Sequence, residues 1–166
     1  VQTVCSSDLK NIGRLSSARQ RFYKNVLGVH VDKIFDSNGN TIFQMTQTGF
    51  IQEIIDNLDH HADCTKLHKT PSNPILFPNL DQGPFEEEWN YRSIIGKLNF
   101  LALNSRPDIA FSVHQCARFC ANPRGSHGTA VKRIGRYLKS TKDKGLILRP
   151  DGTHSLHAMC DADFAG

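Results

Sequence analysis

The stretch from Tyr91 to Leu146, YRSIIGKLNFLALNSRPDIAFSVHQCARFCANPRGSHGTAVKRIGRYLKSTKDKGL, reads as three helices separated by two short breaks. Tyr91, Ile94, Ile95, Leu98, Leu101 and Ala102 recur at i, i+3, i+4 spacing, which predicts a helix with one apolar face. Ser105-Arg106-Pro107-Asp108 stops that helix and starts the next. Proline costs nothing in a first helical turn, and an early Asp suits the positive helix end. Ile109, Val113, Cys116, Ala117 and Cys120 repeat the apolar pattern. Asn122-Pro123-Arg124-Gly125 breaks it again, and Ser126 is the expected N-cap of the third helix. In that helix Ala130, Val131, Ile134, Tyr137, Leu138 and Thr141 form the buried side, while Lys132, Arg133, Arg136 and Lys139 point roughly the other way. It is an amphipathic helix with a cationic back.

The charge is local. The 166-residue chain has a net charge of +4, yet seven Lys/Arg and one acid fall between Arg124 and Lys144. That segment carries +6 and leaves about −2 for the rest. A concentrated cationic helix suits phosphate contact, where affinity comes from displaced counterions; the alternative is a solvated surface face. At 39% hydrophobic and 22% charged residues the composition is that of an ordinary globular protein with one main core. No apolar run approaches a membrane span and no secretory signal pattern is visible. Five scattered cysteines without a Cys-x-x-Cys pair suggest free thiols in a reducing, intracellular compartment, cytoplasmic or nuclear.

Residues 1–21 carry no reliable pattern. The run Val26-Leu27-Gly28-Val29-His30-Val31 predicts a strand, Asp36-Ser37-Asn38-Gly39-Asn40 a turn, and Thr41–Met45 a second strand, together a β-hairpin. Phe50, Ile51, Ile54, Ile55 and Leu58 predict a short helix opening near Thr46. Prolines at 71, 74, 78 and 84 predict an irregular connection from Asp59 to Pro84. Glu86-Glu87-Glu88 is then expected to begin the first long helix with acids at its positive end. His60, His61, Cys64 and His68 have zinc-ligand chemistry, but all come from one short run and read better as polar loop residues. Cys116 and Cys120, four apart on an apolar face, read as small buried thiols. Gly145–Leu148 predicts a strand, Pro150-Asp151-Gly152 a turn and Leu156–Cys160 a partner strand, ending in Asp161-Ala162-Asp163-Phe164-Ala165-Gly166.

Several blocks in a fixed order resemble a known family: Tyr91-Arg92-Ser93, Gly96, Leu98, Phe100-Leu101, Arg106-Pro107-Asp108-Ile109, Asn122-Pro123, Lys132-Arg133-Ile134, Arg136-Tyr137-Leu138-Lys139, Thr141 and Gly145-Leu146. The chain is similar to copia-type retrotransposon Pol polyproteins, over roughly residues 22–166. The resemblance implies three regions: residues 1–45 ending a reverse transcriptase palm (1–21 unassigned), 46–144 a thumb and connection-like helical region, and 145–166 the first strands of a ribonuclease H domain. The family's D-A-D-W-A-G is matched by DADFAG, with Phe164 in place of Trp. Asp161 would then be the first carboxylate of the set that holds Mg²⁺ or Mn²⁺ in the complete enzyme, as two-metal phosphodiester hydrolysis requires. The hairpin departs from the family at Asn25-Val26, where an aromatic is usual before Leu-Gly. The polymerase's adjacent Asp-Asp pair occurs nowhere in the chain.

These readings lead to an α+β expectation: an N-terminal β-hairpin, a central three-helix segment and a C-terminal β-hairpin, as a fragment of a larger polyprotein. The chain alone is expected to be catalytically inactive and to need no cofactor. RNA–DNA or DNA duplex and the rest of the Pol polyprotein are the expected partners, with no membrane. Lys132, Arg133, Arg136, Lys139 and Lys142 are the candidate nucleic-acid contacts. The alternative is a helical interaction module derived from a degenerate or domesticated element.

Overall fold

The computed structural model describes residues 2–4, 24–26, 28–36, 38–59, 68–72 and 83–150. Strands β1 (Gln2–Val4), β2 (Lys24–Val26), β3 (Val29–Phe35) and β4 (Thr41–Thr46) precede helix α1 (Thr48–Asp59). Helices α2 (Tyr91–Asn104), α3 (Ala110–Ala117) and α4 (Gly125–Ser140) follow, with a 3₁₀ turn at Pro107–Ile109, before β5 (Gly145–Leu148). The architecture is α+β.

The β3–β4 hairpin forms as its turn chemistry dictates, pairing Phe35 with Thr41 and running to His30 with Thr46. The Asp36 carboxylate accepts from the backbone N–H groups of Asn38 (2.9 Å) and Asn40 (2.7 Å), and Gly39 takes the positive φ of 81° that closes the turn. The run 26–31, expected to be one strand, is split. Gly28, at φ 77°, lets the chain reverse, so that Val26 pairs with Val29 across a second hairpin. All five strands join in one antiparallel sheet of order β1-β5-β4-β3-β2. Strand β5 lies beside β4, with Gln44 opposite Ile147, and Ile34, Ile42 and Ile147 form a small core there. A side chain at Gly145 would strike the Met45 carbonyl, so the close approach of β5 to β4 depends on glycine. The partner strand expected at 156–160 lies outside the described residues.

The larger core is helical. On α2 the buried residues are Tyr91, Ile94, Ile95, Leu98, Leu101 and Ala102, the face the spacing specifies. Ile51, Ile54, Ile55 and Leu58 of α1 join them, as do Ile109, Val113 and Cys116, and Val131, Ile134, Tyr137 and Leu138 of α4. Gly135 of α4 sits against α1: an added Cβ would come within 2.7 Å of Leu58 Cδ1. Two helix starts differ from the sequence expectation. Helix α2 begins at Tyr91, capped by Asn90, whose side chain accepts from the Ser93 N–H at 2.9 Å. Glu86, Glu87 and Glu88 therefore precede it, and Glu87 is drawn to Lys132 instead. Helix α4 begins one residue before Ser126, so Ser126 is inside the first turn and is not the cap. His127 Nδ1 accepts the Arg124 N–H at 3.0 Å, and its ring stacks on Phe119 with centroids 3.9 Å apart.

Candidate nucleic-acid interface

A buried charge fixes where the cationic helix lies. Arg106 is 0% exposed, and its Nε and one terminal nitrogen donate to the two Asp108 carboxylate oxygens, each at 2.9 Å. The same guanidinium reaches the end of α4, donating to the Thr141 carbonyl (2.9 Å) and the Thr141 hydroxyl (2.7 Å). Tyr137 Oη completes the network by donating to Asp108 Oδ2 at 2.6 Å. Burial alone would raise the Asp108 carboxyl, but the hydrogen bonds and charge of Arg106, with the Tyr137 hydroxyl, hold it below the usual carboxylate range. Burial and the neighbouring carboxylate push Tyr137 up to about 12. A bidentate guanidinium with every nitrogen hydrogen-bonded is the geometry in which a buried ion pair is tolerated. Arg-Pro-Asp and Tyr-x-x-x-Thr are thus two halves of one clasp between the start of α3 and the end of α4.

The clasp leaves the other side of α4 to its cations. Lys132 Nζ lies 2.6 Å from Glu87 Oε1, so its charge is matched by an acid. Arg133 and Lys142 contact neutral oxygens: a terminal nitrogen of Arg133 donates to Thr70 Oγ1 at 2.9 Å, and Lys142 Nζ to Gln52 Oε1 at 2.7 Å. Lys139, in the last turn, is exposed. Arg136 is half-buried one turn before it. The structure brings Arg133 and Arg136 to one cavity and sends Lys132 and Lys142 to separate polar partners.

That cavity, about 330 Å³, lies between α3, α4 and the segment 68–72. Its floor includes Cys116, Ala130 and Ile134, its rim Phe111 and Pro71, and Ser126, Thr129, Arg133 and Arg136 add polar groups along one wall. Phe111 is 61% exposed. Sequence reading missed this site; the exposed Phe at the start of a short helix was its one visible signal. Cys116 is buried, and burial pushes its thiol up to about 12, which suits a packed thiol better than a reactive one.

Asp161, and His60, His61 and Cys64 of the loop cluster, lie outside the described residues; His68 borders the cavity. Among the described residues no group of three or more His, Cys, Asp or Glu side chains is gathered as a metal site would need. No helix among them is long and apolar enough to cross a membrane.

With this geometry in hand, comparison with known proteins identifies the class: the chain belongs to the retrovirus-related Pol polyproteins of copia-type transposons. It is 46% identical over 98 residues to the Pol polyprotein from transposon RE1 of Arabidopsis thaliana, covering 58% of this chain and 7% of that protein. The Pol polyprotein from transposon TNT 1-94 of Nicotiana tabacum is 40% identical over 171 aligned positions, 97% of this chain and 12% of that protein. The transposon RE2 polyprotein of Arabidopsis thaliana is 43% identical over 76 residues, 46% of this chain and 5% of that protein. The chain therefore spans a small part of the length of these relatives. No protein-family model matches it. No solved structure matches it.

Proposed function

We propose that this segment is a nucleic-acid-holding part of a retrotransposon reverse transcriptase and ribonuclease H, and that it performs no chemistry by itself. The observation that carries the reading is the uneven pairing of the cations on α4 and just past its end. Lys132 is neutralised by Glu87, whereas Arg133 and Lys142 meet only neutral oxygens, so their positive charge is not cancelled where it stands. Uncompensated cations on α4 and in the turn that follows it, held by the Arg106 clasp, form the kind of surface on which a duplex backbone displaces its counterions.

In the longer polyprotein, divalent cations would supply the phosphodiester chemistry, and Asp161 is the candidate first ligand. The role assigned to this segment is positioning: contact with phosphates holds a duplex without reading its sequence. The test is titration of the chain with a labelled RNA–DNA hybrid by fluorescence anisotropy over a range of salt concentrations. Binding that weakens steeply with salt and is indifferent to sequence is expected. Absence of binding at low salt contradicts the reading.

A further inference from the structure

We propose that the cavity between α3 and α4 receives a single unpaired nucleotide of a nucleic-acid strand, its phosphate at the Arg133–Arg136 wall and its base against Phe111. The inference rests on the nucleic-acid reading above and gives it a specific ligand. Five side-chain polar atoms among the described residues are shielded from solvent with no hydrogen-bond partner, and three of them belong to cavity-lining residues: Ser126 Oγ, Arg133 Nε and Arg136 Nε. An orphaned buried donor is costly, and an anion in the cavity that draws these three side chains round towards it would satisfy them together. The Nε–H of arginine is half of the fork that binds an oxyanion in a bidentate manner, and Arg133 uses one terminal nitrogen on Thr70 while leaving that Nε free. A serine hydroxyl can turn to donate to the same anion.

The rest of the lining selects what the anion is attached to. A bare phosphate would leave the accessible apolar lining, Pro71, Phe111 and Ala130, in contact with water, whereas these residues suit an apolar, planar body. Phe111 is 61% exposed at the rim, and an exposed aromatic beside cations is the arrangement that stacks an unpaired base. At about 330 Å³ the cavity is at the small end for organic ligands, sufficient for one nucleotide and too small for a base pair with its backbone. Bases inside a duplex are already stacked, so the fitting ligand is a nucleotide at a single-stranded extension.

The test compares a blunt RNA–DNA hybrid with the same hybrid bearing a short single-stranded extension, using the full chain and its Phe111→Ala variant. The extension is expected to tighten binding roughly tenfold, the scale of one stacked base. Phe111→Ala, whose fold is checked by circular dichroism, should abolish that advantage and leave blunt-hybrid affinity unchanged. Arg136→Lys, which keeps the charge but loses the fork, should also reduce the advantage. If blunt and extended hybrids bind alike, or the advantage survives Phe111→Ala, this inference is overturned while the nucleic-acid reading stands. If neither hybrid binds, both fall. Adenosine monophosphate supplies the second arm: competition with the extension but not with the blunt hybrid supports the site. Binding of the free nucleotide without any extension advantage assigns the cavity to free nucleotides and overturns the strand assignment.

Discussion

Arg106 and Thr141 are joined by two hydrogen bonds from one guanidinium, to the threonine carbonyl at 2.9 Å and to its hydroxyl at 2.7 Å, across 35 positions of sequence. Arg106 is fully buried, and the contact makes the end of the cationic helix part of the same unit as the start of α3.

Removing the guanidinium should therefore cost far more than a surface charge. Arg106→Met leaves Asp108, whose side chain is 19% exposed, without its counter-ion and should destabilise the fold by about 3–5 kcal/mol. Arg106→Met combined with Asp108→Leu should recover a large part of the loss, because the unpaired carboxylate is gone. Urea unfolding of the three proteins measures this. A single-variant loss below about 1 kcal/mol, the range of exposed pairs, contradicts the clasp.

The clasp also predicts an acid limb. Asp108 titrates below its ordinary value of 3.8 in the folded chain, so its carboxylate contributes stability that is fully present above that value. The contribution is lost as pH falls through the lower, folded value. Asp108→Asn should flatten this part of the stability-against-pH curve while lowering stability at neutral pH. Tyr137→Phe, which removes one donor to the carboxylate, should cost about 1.5–3 kcal/mol at neutral pH and shift the acid limb upward. Chemical denaturation between pH 2 and about 7 checks both signs.

Two helical glycines should respond oppositely to Ala. At Gly96, exposed and with nothing within 4 Å of an added Cβ, Ala should stabilise by about 0.5–1 kcal/mol through helix propensity. At Gly135 the same gain meets a Cβ contact of 2.7 Å with Leu58, itself 2% exposed. Overpacking costs about 1–3 kcal/mol, so a net loss is expected there, relieved in part by Leu58→Val. Thermal melts of the variants decide it; stabilisation by Gly135→Ala would show that Leu58 moves aside freely.

The helical core was legible in the sequence because periodicity records burial directly: all six apolar positions marked on α2 are its buried residues. The β3–β4 hairpin was legible because Asp36, Asn38, Gly39 and Asn40 encode their own turn. The pairing of β5 with β4 was not. It joins segments about a hundred residues apart, and a four-residue strand carries no local mark of its neighbour. The same limit applied to the site. Arg133 and Arg136 were recognised as cations, but the attraction of Lys132 to Glu87, 45 positions away, and the burial of Arg106 depend on tertiary contacts. His127 was missed because a ring nitrogen at the third helical position, accepting the N–H of the N-cap residue Arg124, is an uncommon substitute for the Glu or Gln of a capping box.

The most direct test of the central claim is the salt dependence of hybrid binding after the cationic face is removed. Lys132, Arg133, Arg136 and Lys139 are replaced together by Gln, and log affinity is plotted against log salt for this variant and the unaltered chain. Each lost phosphate contact should lower the slope by about 0.7–0.9, so four contacts predict a fall of roughly three. Lys132→Gln alone should contribute the least of the four, since Glu87 already matches its charge. A fall of about that size, with the fold intact, supports a duplex-holding face on α4. An unchanged slope contradicts it and returns the helix to an ordinary solvated surface.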